Sequence, residues 1–226
     1  MAFRNVKLDR GPRNVRALFR VISVFVLAFA MALLGLLMSA SKARAEGLSQ
    51  GDMQRVAAGE AVVRVDLAEA PADGLVVGAI EIPAPPAKVW QVLFDCAHAA
   101  GVMPNLTSCK VLQSGPKGAW DIREHRIRWL SLLPEIRSEF RSDYAAGRSI
   151  SFTRTGGDMR ALDGEWRIEP LAKGASTRLT YNARVGFGAL IPSFVIRNAL
   201  AKDVPGFLNA IRREAVRLDG PQAAAR

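Results

Sequence analysis

The side chains best suited to acid–base, nucleophilic or metal chemistry are scarce in this sequence. It contains two cysteines, Cys96 and Cys109, and two histidines, His98 and His125. A zinc site needs about four ligands at close spacing, and these residues form no CxxC or Cys/His cluster. The sequence also has no glycine-rich phosphate loop, nucleophile motif or paired-carboxylate signature. We therefore expect no metal and no cofactor.

Two residues are candidates for acid–base chemistry, Tyr181 and His125. Tyr181 falls on the inward side of an alternating strand, where its hydroxyl needs a partner, either a ligand oxygen or a backbone carbonyl. His125 is surrounded in the sequence by Arg123, Glu124 and Arg126. This setting favours an exposed or salt-bridged position over an acid–base role. We therefore assign no catalytic residue.

The two cysteines are expected to form a disulfide in an exported chain. An even number of cysteines in an oxidising compartment is typical of disulfide pairing. Cys96 falls near the end of a short predicted helix, and Cys109 begins the next strand. The alternative is that both are small buried hydrophobic residues.

The first part of the chain, residues 1–45, has the composition of a secretory leader. A basic segment precedes an unbroken apolar run over residues 21–38, and a small-x-small tripeptide follows at residues 43–45. We expect cleavage before Glu46 and a periplasmic protein. The alternative is an uncleaved anchor in the inner membrane formed by residues 21–38, since about 18 apolar residues are close to the lower limit for a membrane span.

The positive charge of the chain is concentrated in this leader. The whole sequence has 31 basic and 21 acidic residues, a net charge of +10. Eight of the basic residues and one acidic residue lie within residues 1–45, which leaves 23 basic and 20 acidic residues and a net charge of +3. A nucleic-acid partner requires a concentrated basic surface, so we exclude one. The sequence makes no prediction about oligomeric state.

The remainder of the chain is predicted to form an α+β domain. Pro85 and Pro86 introduce one or two short helices after the first full strand, and about six strands then follow with turns between them. The last element is a long amphipathic helix. The predicted boundaries are residues 46–70 for a linker and edge element, 71–218 for the domain, 191–218 for the long helix within it, and 219–226 for a disordered tail.

Strand parity and helical period identify the side chains that face each other across this domain. Strict alternation along residues 135–144 and in later strands leaves one face solvated and covers the other. The covered face and the apolar stripe of the helix contribute Phe140, Phe152, Trp166, Tyr181, Val204, Phe207, Leu208 and Ile211. Such residues form either an ordinary core or the walls of a cavity.

Four segments together resemble the START-like superfamily, also called SRPBCC or helix-grip proteins, and within it the coenzyme-Q-binding and polyketide cyclase/dehydrase branch. They are IEIPAPPAKVWQVLFD, MPNLTSCKVL, ALDGEWRIEP and STRLTYNARV, and the similarity covers residues 75–218. The resemblance implies a curved antiparallel sheet of about six to seven strands wrapped around the long carboxyl-terminal helix. It also implies a deep cavity between sheet and helix that holds an apolar ligand. Fold alone does not fix that ligand.

Two apolar connections, residues 130–134 and 186–191, are candidates for the entrance of this cavity. Connections usually run over the surface and are polar, so apolar ones suggest a ligand mouth or a membrane contact. The alternative is that they plug one end of the cavity. Phe187, in the second connection, joins the expected cavity residues. We expect a pocket of about 300 Å³ or more.

The sequence therefore predicts an exported START-like domain that binds a hydrophobic small molecule or lipid, for instance an isoprenoid quinone. The enzymatic alternative is a cyclase or dehydratase that uses the same cavity, and it depends on Tyr181 and His125. A third interpretation is a membrane-tethered accessory domain with a collapsed cavity and no ligand. An open cavity would exclude the third interpretation, and a polar cluster on its wall would favour the second.

Overall fold

The computed structural model describes residues 47–68, 73–128, 135–188 and 192–220. The predicted leader lies outside these ranges, and so do the whole first apolar connection, residues 130–134, and the second half of the other, residues 189–191. Within the described ranges, no helix is long and apolar enough to cross a membrane.

Eight strands and four α-helices make up the described part of the chain. In order they are α1 (Gln50–Ala57), β1 (Val62–Leu67), β2 (Asp73–Ile82), α2 (Pro86–Phe94), α3 (Cys96–Val102), β3 (Leu106–Ser114), β4 (Trp120–Ile127), β5 (Ile136–Ala145), β6 (Ser149–Gly157), β7 (Ala161–Leu171), β8 (Ser176–Gly186) and α4 (Ser193–Asp219). The two predicted short helices are therefore α2 and α3. The predicted long helix is α4, and residue 191, where it was expected to begin, lies outside the described ranges.

The strands form one antiparallel sheet in the order β1-β2-β8-β7-β6-β5-β4-β3. The predicted α+β arrangement is confirmed, with eight strands where six to seven were expected. The extra strand is β1, because the predicted edge element pairs with β2 along its whole length. Register shifts occur between β3 and β4 and between β5 and β6, and such shifts bend a sheet locally.

The segment predicted as a linker and edge element, residues 46–70, also contains helix α1. Ser49 caps this helix: its side-chain oxygen accepts a hydrogen bond from the backbone nitrogen of Asp52 at 3.1 Å, and its own backbone nitrogen donates to the Asp52 carboxylate at 3.0 Å. Asp52 also accepts hydrogen bonds from Arg64 of β1 at 2.9 and 3.0 Å. Only Val56 among its apolar residues is deeply buried, so the sequence lacks a periodic stripe that would reveal the helix.

Helices α2 and α3 meet at Asp95. The backbone nitrogen of Asp95 closes α2, and its carboxylate caps α3 by accepting a hydrogen bond from the backbone nitrogen of Ala97 at 2.9 Å. Cys96, the first residue of α3, forms a disulfide with Cys109 of β3, with a Cα–Cα distance of 5.7 Å. The predicted pairing is therefore present, and it ties α3 to the edge strand of the sheet.

Helix α4 packs on the sheet with its two halves in different surroundings. In the carboxyl-terminal half, Leu208 and Ile211 are fully buried in a core shared with β2, β8 and α2. In the amino-terminal half, Ile196 and Val204 belong to a second cluster with Val76 and other residues of the sheet. A cavity lies beside the amino-terminal half of α4.

Candidate ligand-binding cavity

A cavity of about 210 Å³ lies between the inner face of the sheet and helices α3 and α4. Strands β4 to β8 supply most of its wall, and the amino-terminal half of α4 forms the opposite side. The cavity is smaller than the predicted pocket of about 300 Å³. Large side chains from the sheet take up part of the space, namely Phe140, Phe152, Trp166 and Tyr181.

Seven of the nine predicted cavity residues line this space. They are Phe140, Phe152, Trp166, Tyr181, Phe187, Val204 and Phe207. The period-two alternation of the strands and the helical period of α4 therefore identified side chains that are far apart in the sequence and close together in the structure.

The other two predicted residues, Leu208 and Ile211, do not line the cavity. Both are fully buried and pack against residues such as Ile80 and Leu179. The apolar stripe of α4 continues past the cavity, because its carboxyl-terminal half lies directly on the sheet and on α2. Helical period identifies the inward face but not the point where helix and sheet separate.

An aromatic cluster connects the sheet with α4. Trp166 and Tyr181 are opposite each other in the β7–β8 register, with ring centroids 4.3 Å apart. Trp166 also meets Phe207 of α4 edge to face at 5.4 Å, and Phe152 stacks near Tyr181 at 6.0 Å. Each such contact contributes about 0.5–1.5 kcal/mol beyond the burial of its area. The rings are therefore held in place at the cavity surface.

Gly164 leaves room for one of these rings. It lies opposite Phe152 in the β6–β7 register. A Cβ atom at this position would come within 2.7 Å of Cζ of Phe152 and 2.8 Å of Cα of Ala183. Any side chain here would displace the ring or the neighbouring strand.

His125 lies on the cavity wall, and the surface position suggested by its charged neighbours is wrong. Only 8 % of its surface is exposed. Its ring meets Phe140 edge to face at 4.9 Å, and its Nε2 lies 3.3 Å from Sγ of Cys109. Burial, with a smaller contribution from Arg123, lowers the pKa of His125 from 6.5 to about 4. The imidazole is therefore neutral near pH 7.

The error about His125 arises from the unusual inward face of β4. Asp121, Arg123 and His125 alternate on that face and are all buried, while Glu124 pairs with Arg126 on the other face at 2.8 Å. Because both faces of β4 are charged, alternation cannot distinguish the inner one. The β3–β4 register places Cys109 opposite His125, so the two side chains lie on the same face of the sheet. The predicted disulfide between Cys109 and the helix residue Cys96 could have identified that face as the inner one.

Arg123 is a candidate functional residue that the sequence did not single out. It is 6 % exposed and lines the cavity. Its Nε and Nη2 donate to the Asp121 carboxylate at 2.9 and 2.8 Å, and Nη2 also donates to the carbonyl of Phe94 and the hydroxyl of Tyr144, both at 2.6 Å. Burial alone would lower the pKa of Arg123, but Asp121 and Tyr144 outweigh it and raise the pKa. Arg123 and Asp121 thus form a buried, mutually neutralised ion pair.

The hydroxyl of Tyr181 keeps its proton. Burial raises the pKa of Tyr181 above its usual value. Within the described part of the chain, this hydroxyl has no hydrogen-bond partner. Tyr181 can therefore donate a hydrogen bond to a ligand, but it is poorly suited to accept a proton.

Asp203 is the one acidic residue of α4 that lines the cavity among the described positions. Its carboxylate accepts a hydrogen bond from Nδ2 of Asn105 at 3.1 Å, which links α4 to the connection between α3 and β3. Burial raises the pKa of Asp203 above its usual value. The helix side of the cavity therefore offers a partly buried acid and no base.

The predicted entrance cannot be traced along the described ranges, because residues 129–134 and 189–191 lie outside them. Phe187, at the start of the second connection, is 5 % exposed and lines the cavity. A ligand mouth, a membrane contact and a plug therefore stay as predictions. Across the described positions, no group of three or more His, Cys, Asp or Glu side chains is arranged to hold a metal ion.

Comparison with known proteins identifies relatives of this architecture. Residues 82–212 match the family model described as polyketide cyclase / dehydrase and lipid transport. Among curated protein sequences, a search finds no match.

Several solved structures share the fold. The Zhui aromatase/cyclase from a Streptomyces species has 20 % identity and a TM-score of 0.56, with 66 % of this chain and 98 % of that chain covered. A START superfamily protein from Mycobacterium smegmatis has 16 % identity and a TM-score of 0.56, covering 64 % and 98 %. A STAR-related lipid transfer protein from Xanthomonas axonopodis has 16 % identity and a TM-score of 0.53, covering 69 % and 98 %. The predicted helix-grip fold is therefore confirmed.

Proposed function

Since this chain belongs to the polyketide cyclase/dehydrase and lipid transport family, we propose that it binds a hydrophobic molecule in the cavity between its sheet and α4. The observation that carries the proposal is the cavity itself: a space remains between the sheet and α4 beside Leu200, Val204 and Phe207, and its lining is largely aliphatic and aromatic. A domain that served only as a scaffold would have no physical reason to leave such a space unfilled. The cavity argues against the accessory-domain interpretation.

Desolvation supplies the affinity in this proposal. A ligand that buries about 200 Å² of apolar surface gains about 5 kcal/mol, from which the cost of association must be subtracted. The rings of Trp166 and Phe207 provide rigid contact surfaces for this purpose. We favour a lipid or an isoprenoid quinone, of which the ring or the head portion fits a cavity of about 210 Å³.

A cyclase or dehydratase activity is the second candidate, and the polar groups on the cavity wall favour it. His125 and Tyr181, the two acid–base candidates, both line the cavity. Neither is tuned for proton transfer near pH 7, because the pKa of His125 is lowered to about 4 and that of Tyr181 is raised. Ligand binding without catalysis is therefore the primary proposal.

We also propose that the protein acts outside the cytoplasm. The composition of residues 1–45 supports export, and the disulfide between Cys96 and Cys109 is typical of an oxidising compartment. An intact-mass measurement on the periplasmic fraction should find a chain that begins at Glu46. A full-length product in the membrane fraction would support anchoring through residues 21–38 instead.

Native mass spectrometry of the purified protein, with identification of any copurified small molecule, is the direct test of ligand binding. A cavity-filling variant provides the functional test. Leu200 lines the cavity from α4, so Leu200→Trp should abolish uptake of a fluorescent lipid. Val216 lies on the same helix and is 39 % exposed, so Val216→Trp is the matched control and should bind as the parent does. Equal uptake by both variants would refute binding in this cavity.

A further inference from the structure

Polar side chains are distributed unevenly around the cavity. Four of them lie on the inner faces of β4 and β5 and define what we call the polar wall: Arg123, His125, Ser138 and Ser142. All four are at most 8 % exposed. The rest of the lining is apolar or aromatic, apart from Tyr181 and Asp203. A ligand in this cavity therefore meets hydrogen-bonding groups mainly on one side.

The strand register makes the polar wall continuous. His125 lies directly opposite Ser138 in the antiparallel β4–β5 pair, and Arg123 lies opposite Phe140 on the same inner face. Directly opposed residues have Cβ atoms about 4.5–5.5 Å apart. His125 and Ser138 can therefore contact the same ligand atom or two neighbouring ones.

Part of the hydrogen-bonding capacity of this wall is not used by the protein. Nε2 of His125 lies beside the disulfide sulfur of Cys109, but Nδ1 has no partner in the described part of the chain, and the same holds for the hydroxyl of Ser138. Nη1 of Arg123 is likewise outside the set of hydrogen bonds that fix this side chain. None of these three atoms is among the fully enclosed polar atoms without a partner, which in the described ranges comprise Nε of Arg178 alone, so they are accessible from the cavity. A hydrogen bond is stronger in an apolar surrounding than in water, so a ligand oxygen that pairs with these groups gains affinity.

The charges around the cavity disfavour an anionic partner. The guanidinium of Arg123 is already neutralised by the carboxylate of Asp121 at 2.8 Å, and His125 is a neutral imidazole. Among the described lining residues there is no other base, and Asp203 adds an acidic group on the opposite side. A carboxylate or phosphate head would be desolvated here without a free countercharge.

We infer that the cavity selects a ligand with an uncharged oxygen, such as a hydroxyl, ketone or quinone carbonyl, which accepts a hydrogen bond from the hydroxyl of Ser138. A ligand hydroxyl can in addition donate to Nδ1 of His125, because Nε2 carries the proton of the neutral imidazole when it pairs with the disulfide sulfur of Cys109. The carbon skeleton then lies against the aromatic cluster of Phe152, Trp166 and Phe207. This inference rests on the proposed function and adds the chemical class of the ligand and the residues that determine specificity.

Three probes with the same ring system test this inference on the full-length protein: naphthalene, 2-naphthol and 2-naphthoate. An apolar cavity of about 150 Å³ holds benzene, so a two-ring probe suits a cavity of about 210 Å³. Calorimetry at pH 7 gives the affinities. We expect 2-naphthol to bind about tenfold more tightly than naphthalene, as one or two hydrogen bonds would provide, and 2-naphthoate to bind no more tightly than naphthalene.

Two variants assign the preference to the polar wall. Ser138→Ala and His125→Leu should each reduce the preference for 2-naphthol over naphthalene by about threefold, while leaving the affinity for naphthalene nearly unchanged. Ser151 is an exposed residue on the outer face of β6, so Ser151→Ala is the matched control and should keep the full preference. If His125→Leu does not fold, Ser138→Ala decides the question alone.

The outcomes separate this inference from the proposed function. Binding of naphthalene without a preference for 2-naphthol, or a preference that survives in both variants, would overturn the inference and leave hydrophobic ligand binding intact. Tightest binding of 2-naphthoate would also overturn it, because Arg123 would then recognise an anion. No binding of any probe would count against the proposed function and against this inference with it.

Discussion

Leu208 and Leu200 belong to the same apolar stripe of α4 and yet have different neighbours. Leu208 is fully buried in a packed core with β2, β8 and α2, which we call the packed end. Leu200 lines the cavity together with Val204 and Phe207, and we call this region the cavity end. The residue types are alike, so the difference comes from the distance between helix and sheet.

This difference shows how one fold can combine stability with binding. At the packed end, apolar side chains from three strands and three helices are buried together, as in an ordinary close-packed protein interior. At the cavity end, the wall is built from large aromatic rings and from polar side chains that the protein itself leaves partly unpaired. Substitutions at the packed end should therefore change stability, and those at the cavity end should change binding.

The largest expected effect is the loss of stability on removing a side chain at the packed end. Leu208→Ala should lower the free energy of unfolding by about 3–5 kcal/mol, because it creates a cavity in a close-packed core. Leu200→Ala should cost about 1 kcal/mol, since Leu200 faces existing free space and fewer contacts are lost. Urea unfolding of both variants measures the difference. Equal losses would mean that the two ends are packed alike.

Acid should destabilise the cavity end through His125. Its pKa is lowered from 6.5 to about 4 in the folded protein, so the unfolded chain takes up a proton first as the pH falls. Stability is therefore complete above pH 6.5 and decreases towards pH 4, by about 3 kcal/mol in total. Unfolding free energies measured between pH 5 and pH 7 should show this slope in the parent.

The slope can be assigned to one side chain. His125→Leu should flatten it, whereas carboxyl groups with lowered pKa values, such as Glu124 and Glu135, act mainly at lower pH. A slope of unchanged size in His125→Leu would show that another group titrates in this window.

Breaking the disulfide should also act on the cavity end. The bond between Cys96 and Cys109 spans 13 positions and is worth about 3 kcal/mol in the chain-entropy description. It anchors α3, which contributes Ala99 and Val102 to the cavity wall. Replacing both cysteines by serine should lower the free energy of unfolding by about this amount and weaken naphthalene binding.

Hydrogen exchange distinguishes a local effect from a general one. In the double serine variant, amides of α3 and β3 should exchange faster, while those around Leu208 and Ile211 keep their protection until global unfolding. Uniform loss of protection at both ends would contradict a local role of the disulfide.

The sequence predicted the architecture of this protein more completely than its site. Alternation along β5, β7 and β8 and the helical stripe of α4 depend only on local periodicity, and they correctly placed Phe140, Trp166 and Phe207 on the inward face. Ala183 follows the same alternation two residues after Tyr181 and is buried in the second cluster, but it does not line the cavity. Periodicity predicts which face of a strand or helix points inward. Whether an inward side chain lines a cavity depends on the distance between helix and sheet at that position.

The buried position of Arg123 and His125 on the polar wall was missed for a different reason. Burial of Arg123 depends on its ion pair with Asp121 and on the carbonyl of Phe94, which comes from a helix far away in the sequence. Charged residues are normally exposed, so their number on β4 indicated a surface. Only the tertiary contacts show that these charges are neutralised inside the protein. Functional sites are expected where residues that the local sequence pattern places on the surface are buried in the structure.

The smallest expected effects separate the two ends most sharply, because they involve a single hydroxyl at each. Thr177 is fully buried at the packed end, and its Oγ1 donates to the carbonyl of Ala84 at 2.8 Å. Thr177→Val keeps the shape but leaves that carbonyl without this donor, so it should lower the free energy of unfolding by about 1–2 kcal/mol without affecting ligand binding.

Ser138, at the cavity end, is also buried but has no hydrogen-bond partner in the described ranges. Ser138→Ala should therefore change stability by less than about 0.5 kcal/mol while reducing the preference for 2-naphthol. Urea unfolding measures the stability of both variants, and titration with naphthalene and 2-naphthol measures their ligand preference. A large stability loss in Ser138→Ala would show that the hydroxyl of Ser138 supports the fold and is not available to a ligand.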